Sequence, residues 1–301
     1  MALGAVLFAL MNFLARIATA SASWVTVAAS RAAVGALVAA AVARLRGVSL
    51  TPKDARGVFW RSLLGTVSML ATFYALSSRT MSLGDTVTLL NLAPVFLAVL
   101  APFFLRERTS AVVAIAIGIA LSGVMLIVRP TFLFGADATV TAAVSGGPSA
   151  TATAAVAVGA ALSTAIAMML LRRVGQTERP EAVAFHFSLF AAITLSAVSL
   201  FDLRMPTLRD AACMVGAGLC AGVAQLAMTR AYALESAARV SGMSYLSVVA
   251  SATLGAVALG ERPGPTALVG MALVILGGIV VVIQRSTAAA PSGARAVTSP
   301  P

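Results

Sequence analysis

Apolar side chains run along this chain in long blocks, and polar ones collect in the short gaps between them. The blocks fall at residues 2–20, 23–43, 57–78, 82–104, 109–129, 151–171, 182–201, 210–232, 239–259 and 265–284. A helix of about 20 apolar residues spans a bilayer, and each block has roughly that length. Membrane strands are about half as long and alternate in polarity. A helix also satisfies its own backbone amides, which hydrocarbon otherwise leaves unpaired. The pattern therefore predicts an all-α integral membrane protein with ten transmembrane helices.

Composition sharpens this. Hydrophobic residues make up 60% of the chain and charged ones 10%, with a mean hydropathy of +0.99, a balance that a water-soluble domain could not bury. The net charge of +11 would suggest nucleic acid in a soluble protein. Here the basic residues sit mostly at block ends, where the positive-inside rule accounts for them, and no nucleic-acid partner is expected. With the amino terminus placed inside, the inner loops hold Arg44, Arg46, Lys53, Arg56, Arg61, Arg106, Arg108, Arg172, Arg173, Arg179, Arg230, Arg239, Arg285 and Arg295. The outer loops hold Arg79, Arg129, Arg204, Arg209 and Arg262. This excess puts both termini in the cytoplasm of a cell whose inner membrane the chain spans. Ala20-Ser21-Ala22 resembles a signal-peptide cleavage site, but no basic residue precedes the first apolar run, so cleavage is not expected.

Five blocks precede the Ala/Thr/Ser/Gly-rich stretch 131–150 and five follow it, and landmarks recur in order. Tyr74-Ala75-Leu76 closes the third block as Tyr232-Ala233-Leu234 closes the eighth; Glu107-Arg108 follows the fourth as Glu261-Arg262 follows the ninth. An odd number of spans per repeat inserts the second half upside down, the inverted plan of secondary transporters, whose site lies between the halves near mid-membrane. The expected organisation is a first five-helix repeat (1–130), an outer linker (131–150), a second repeat (151–285) and a disordered cytoplasmic tail (286–301). A homodimer is compatible with this plan.

With these features the chain resembles the EamA family of the drug/metabolite transporter superfamily over nearly all of residues 1–285. The resemblance rests on the 5+5 plan, Arg31 in the second span, Tyr74-Ala75-Leu76, Pro94 within Asn91–Phe96, and the endings at Glu107 and Glu261. It implies movement of small metabolites without ATP hydrolysis. One departure is that Ser247-Val248-Val249 lacks the proline the family pattern places in the ninth span. If Pro94 kinks the fourth span, the ninth is expected to be straighter.

A polar side chain is costly in hydrocarbon, about 2.5–3.5 kcal/mol for Arg at a span's centre on insertion scales, so such residues are expected to face the bundle interior. Asn12, Arg16, Thr19 and Ser23 share one helical face of the first span. Gly218, Gly222, Gln225, Thr229, Tyr232 and Ser236 share another in the eighth. Thr88 and Asn91 in the fourth span, with Ser244, Tyr245 and Ser251 in the ninth, extend the expected lining. The pathway residues expected from sequence are thus Asn12, Arg16, Arg31, Thr88, Asn91, Gln225, Thr229, Tyr232, Ser244 and Tyr245. For the glycines, close helix packing through Gly218-x-x-x-Gly222 is the expected use.

Arg16 and Arg31 offer planar donors to a carboxylate or phosphate, which favours anionic or zwitterionic solutes such as amino acids or organic acids. His186 is expected to be packed or hydrated at the interface, and Glu107 and Glu261 to form surface pairs or fix turns. One histidine, Cys213 and Cys220 in an apolar stretch, and scattered acids form neither a catalytic set nor a metal site, and no phosphate-binding loop is present. The sequence thus predicts a transporter, exporting rather than importing, that needs no cofactor and performs no catalysis. Export of drugs or nucleotide-type metabolites, a channel and a non-transporting scaffold are the competing readings.

Overall fold

The computed structural model describes residues 1–19, 21–77, 83–107, 109–134, 150–201, 206–259 and 264–283. The regular elements among them are helical: α1 (Ala2–Ala18), α2 (Trp24–Leu45), α3 (Ala55–Ser77), α4 (Leu83–Leu90), α5 (Ala93–Phe104), α6 (Ala111–Val128), the single turn α7 (Thr131–Phe134), α8 (Ala150–Val174), α9 (Pro180–Ser199), α10 (Leu208–Leu234), α11 (Ala237–Gly242), α12 (Leu246–Leu259) and α13 (Pro265–Ile283). Their ends lie within a few residues of the apolar block boundaries. The expected linker is described only at its edges. Residues 135–149, the tail 286–301 and the second-half landmark Glu261-Arg262 lie outside the described residues.

Local chemistry sets the starts of several helices. The Ser23, Ser110 and Thr207 side chains accept from the amides of Thr26, Val112 and Asp210, capping α2, α6 and α10, and Asp54 Oδ1 accepts from Gly57 N at 2.9 Å at the start of α3. Pro94 and Pro180 occupy first-turn positions, where the missing amide costs nothing.

Among the described residues, seven helical segments are long and apolar enough to cross a bilayer: 24–45, 85–104, 111–128, 151–174, 180–199, 208–234 and 237–258. Shorter apolar helices cover 2–18 and 265–281. Large apolar side chains such as Leu37, Phe103, Ile115, Ile193 and Val257 point outward. The protein is therefore a membrane protein whose lipid-facing surface is as apolar as its core. The core instead is built from small residues. The buried face of α2 is Val25, Val27, Ala28, Ala29, Ala32, Gly35, Ala36, Ala39 and Ala43, which lets neighbouring backbones approach closely. α3 differs: Arg61, Ser62, Thr66 and Ser68 are all buried in the bundle.

The halves interdigitate. α6 packs on α13, α2 on α9, α3 on α8 and α1 on α10; α2 also meets α10, and α3 meets α9. α6 and α13 touch backbone to backbone. A Cβ added at Gly123 would lie 2.5 Å from the Gly270 carbonyl oxygen, and one at Gly270 the same distance from that of Gly123. Gly123→Ala must therefore push the two helices apart, and we expect a loss of about 1–3 kcal/mol, read as a lowered melting temperature of the purified protein.

Two helices are broken, not one. The fourth apolar block divides at Asn91-Leu92, just before Pro94, into α4 and α5. The ninth block, expected to be straighter for want of a proline, divides at a 3-10 turn, Met243–Tyr245, into α11 and α12. Serine does there what proline does not. The hydroxyls of Ser241, Ser244 and Ser247 donate to the carbonyls of Ala238, Ser241 and Ser244, each three residues back, and such local bonds compete with the helical ladder. Tyr245 Oη then donates to the Asn91 carbonyl oxygen at 2.7 Å, stapling one break to the other.

Candidate functional site: a cavity at the centre of the bundle

α1, α2, α3, α9 and α10 border a partly open cavity of about 100 Å³ lined by Phe8, Arg31, Ala32, Gly35, Met69, Phe187, Ser188, Ala191, Ala221 and Gln225. Arg31 lies seven residues into α2 and Gln225 nine residues before the end of α10. At 1.5 Å rise per residue both are roughly 10–14 Å from opposite helix ends, so the cavity sits near mid-height. This volume holds several waters or a small polar group.

Arg31 supplies its charge. Its Nη1 contacts Met11 Sδ at 3.1 Å and its Nη2 contacts Met69 Sδ, while its guanidinium stands 5.9 Å from the Phe73 ring centroid. Thioether sulfur is a weak acceptor, so these contacts position the fork without neutralising it. Opposite, Gln225 Nε2 is buried with no hydrogen-bond partner. A buried unsatisfied amide is costly, and this one borders the cavity. Ser188 adds a hydroxyl. The chamber thus offers amide and guanidinium donors around an apolar floor.

Of the residues expected in the lining, Arg31 and Gln225 are brought together here. Thr229 and Tyr232 are buried on the same helix but do not line the cavity: Thr229 Oγ1 donates to the Gln225 carbonyl at 2.8 Å. Asn12 and Arg16 lie on the exposed side of α1, outside this cavity. Helical spacing put them on one face, but α1 turns its small residues, Gly4, Ala5, Ala9 and Ala18, inward. Ser23, of the same expected stripe, caps α2. Asn91, Ser244 and Tyr245 belong to the helix breaks, with Asn91 Nδ2 bonded to the Val87 carbonyl at 2.8 Å. Thr88 is buried with an unpartnered hydroxyl away from this cavity, and Ser251 is exposed. Gly218 and Gly222 serve packing as expected: added Cβ atoms would come within 2.4 and 2.7 Å of Val34 Cβ and Val38 Cβ on α2. His186 is packed, its Nδ1 2.8 Å from the Ala182 carbonyl and its ring edge-on to Phe185.

Sequence reasoning missed Ser188, Met69 and Phe187, which are unremarkable in an apolar span. It also missed Arg61. That residue was counted with the loop cations, yet its side chain is fully buried, stacked 4.1 Å from the Phe187 ring centroid.

One end of the bundle is tied shut by polar contacts between the halves. Arg172 Nε meets Glu107 Oε1 at 2.7 Å, and its Nη1 donates to the carbonyls of Tyr232 and Ala233 at 3.0 and 2.9 Å. Glu107 Oε2 accepts from Ala237 N at 2.9 Å, opening α11. Glu107 is therefore a bond between halves, not only a surface pair. Glu181 gathers Arg46 and Arg230 at 3.1 and 3.3 Å, and Glu178 Oε1 accepts from Asp54 N. At the other end Asp210 accepts from Ser21 and Thr207.

The sequence and fold have known relatives. The pseudopaline exporter CntI of Pseudomonas aeruginosa is 26% identical over 279 residues, covering 92% of this chain and 89% of that one. Human solute carrier family 35 member G1 is 28% identical across 63% of this chain and 52% of its own length. A solved crystal structure superposes with a TM-score of 0.78 at 20% identity, covering 94% of this chain and 95% of the other. The profile of the EamA-like transporter family matches twice, over residues 1–129 and 151–283. Two such matches account for nearly every described helix, and the chain belongs to the EamA-like transporter family, whose members are transporters and not enzymes.

Proposed function

We propose that the protein is a secondary transporter that carries small anionic or zwitterionic solutes, amino acids or organic acids among them, by alternating access around the central cavity. The observation that carries this reading is the Arg31 guanidinium, held by sulfur and aromatic contacts at a mid-height cavity that Gln225, with its unpartnered amide, also lines. A permanent positive charge in such a place favours solutes that bring a carboxylate or phosphate.

In this reading the helices form ten spans in two inverted repeats, 1–130 and 151–285, with α4–α5 and α11–α12 each crossing as a broken pair. Helix pairing supports it. A twofold axis exchanging the halves maps α2·α9 and α6·α13 onto themselves, α3·α8 onto α10·α1, and α2·α10 onto α9·α3, and each of these contacts is present. The excess of basic residues in alternate loops supports cytoplasmic termini and a bacterial inner membrane, and the exporter among its relatives favours outward movement.

Two experiments test this. Reporter fusions at the carboxyl end should be active on the cytoplasmic side only; periplasmic activity would overturn this orientation. A strain overproducing the protein should survive inhibitory amino acids, organic acids or their analogues. Resistance confined to permanently cationic drugs would overturn the solute class.

A further inference from the structure

Arg61 has no explanation in the fold. It lies six residues into α3, is 0% exposed, and none of its three guanidinium nitrogens has a hydrogen-bond partner. Its one aromatic contact is the face of Phe187, a cation–π contact that offsets only part of the desolvation. A bare guanidinium inside a bundle is normally matched by a carboxylate or by carbonyl oxygens.

Position supplies the missing link. Arg61, Gly65 and Met69 follow one another at four-residue spacing along one stripe of α3, and Met69 is the residue whose sulfur holds Arg31 in the cavity. Eight residues of helix separate the levels of the two arginines by about 12 Å. Gly65 makes room on this stripe for Arg61 and the ring, since a Cβ there would collide with Arg61 Nη1 and the Phe187 ring, at 2.4 and 2.8 Å. Phe187 lines the Arg31 cavity and stacks on Arg61. One ring therefore touches both the cavity and Arg61.

We propose that Arg61 is a second oxyanion-binding station, reached from the cavity past the Phe187 ring, that takes the carboxylate or phosphate of the transported solute on the side of the bundle closed by Glu107 and Glu181. The proposal rests on the transport reading given above. Arg31 holds the anionic group on one side of Phe187 and Arg61 on the other, so rotation of a single ring passes it between two planar donor forks. An arriving oxyanion satisfies nitrogens that the protein leaves bare.

Purified protein in nanodiscs tests this with citrate and inorganic phosphate as probes, against chloride at equal ionic strength. Arg61→Met should lose the weaker of the two binding events that the wild type shows with each oxyanion, and without oxyanion it should melt a few degrees higher, since an unpaired buried charge has gone. Should that variant fail to fold, Arg61→Lys carries the test: it keeps the charge but loses the fork, and weaker binding is again expected. A weaker binding event unchanged in the variant tested, fewer than two oxyanion-binding events in the wild type, or stabilisation by chloride equal to that by citrate overturns the proposal. Arg31→Ala, measured alongside, separates the two readings. Weakened binding in Arg31→Ala with none in Arg61→Met removes only the second station, whereas unchanged binding in Arg31→Ala removes the cavity itself as the anion site.

Discussion

Arg31→Ala is expected to lose transport while the bundle stays folded. A charge-assisted hydrogen bond to a buried oxyanion contributes about 1.5–3 kcal/mol, so losing it lowers solute affinity roughly tenfold to a hundredfold. The expected flux at low solute concentration falls by the same factor. Stability should barely change or rise, because the Arg31 guanidinium touches only two thioethers and one distant ring, and the penalty of placing it in the bundle disappears with it. Arg31→Lys should recover part of the flux, since it restores charge without the planar fork. Uptake into proteoliposomes, with melting curves on the same samples, reads both effects.

The second large effect is expected at the tied end. Glu107 holds Arg172 with one oxygen and the first amide of α11 with the other. Both side chains of the pair are mostly shielded, at 17% and 23% exposure. Removing the carboxylate leaves Arg172 with only carbonyl partners and strips the start of α11. Glu107→Ala should therefore cost about 2–3 kcal/mol, below the full penalty for breaking a wholly buried pair. Because the bond joins the two halves, its loss should also shift the population toward a state open at this end. A cysteine introduced at Ala191 would then react faster with a thiol reagent supplied from the Glu107 side, and Glu107→Gln should show a smaller change. Equal labelling rates in Glu107→Ala and its parent would show that this bond does not hold the end closed.

The helices were legible because a bilayer demands about 20 apolar residues at a stretch, and this chain supplies little else. Gly218 and Gly222 were legible as packing residues for a similar reason, since a four-residue spacing of glycines leaves a smooth helix face. The azimuth of each helix was not. Asn12 and Arg16 share a face, but only the neighbours of α1 decide that its alanine face turns inward. The ninth-block break was hidden because serines at three-residue intervals look like ordinary small residues until each hydroxyl is seen to cap the carbonyl behind it.

Arg61 shows the sharper limit. A basic residue within two turns of a span end reads as a loop charge under the positive-inside rule, and nothing local distinguishes one that folds inward. Its burial comes from α9, more than a hundred residues later, whose Phe187 covers it. Arg31, deeper in its block, carried its own signal. Gln225 did likewise, as an amide in an apolar helix.

Alternating access requires a cavity that opens to each side in turn around Arg31. Counterflow in proteoliposomes tests this most directly: vesicles preloaded with unlabelled amino acids and organic acids are diluted into trace labelled solute. For at least one solute, transient accumulation of label above equilibrium is predicted, saturable and absent in Arg31→Ala. Label that only equilibrates without saturating, as through a pore, or no flux for any of these solutes, would contradict it.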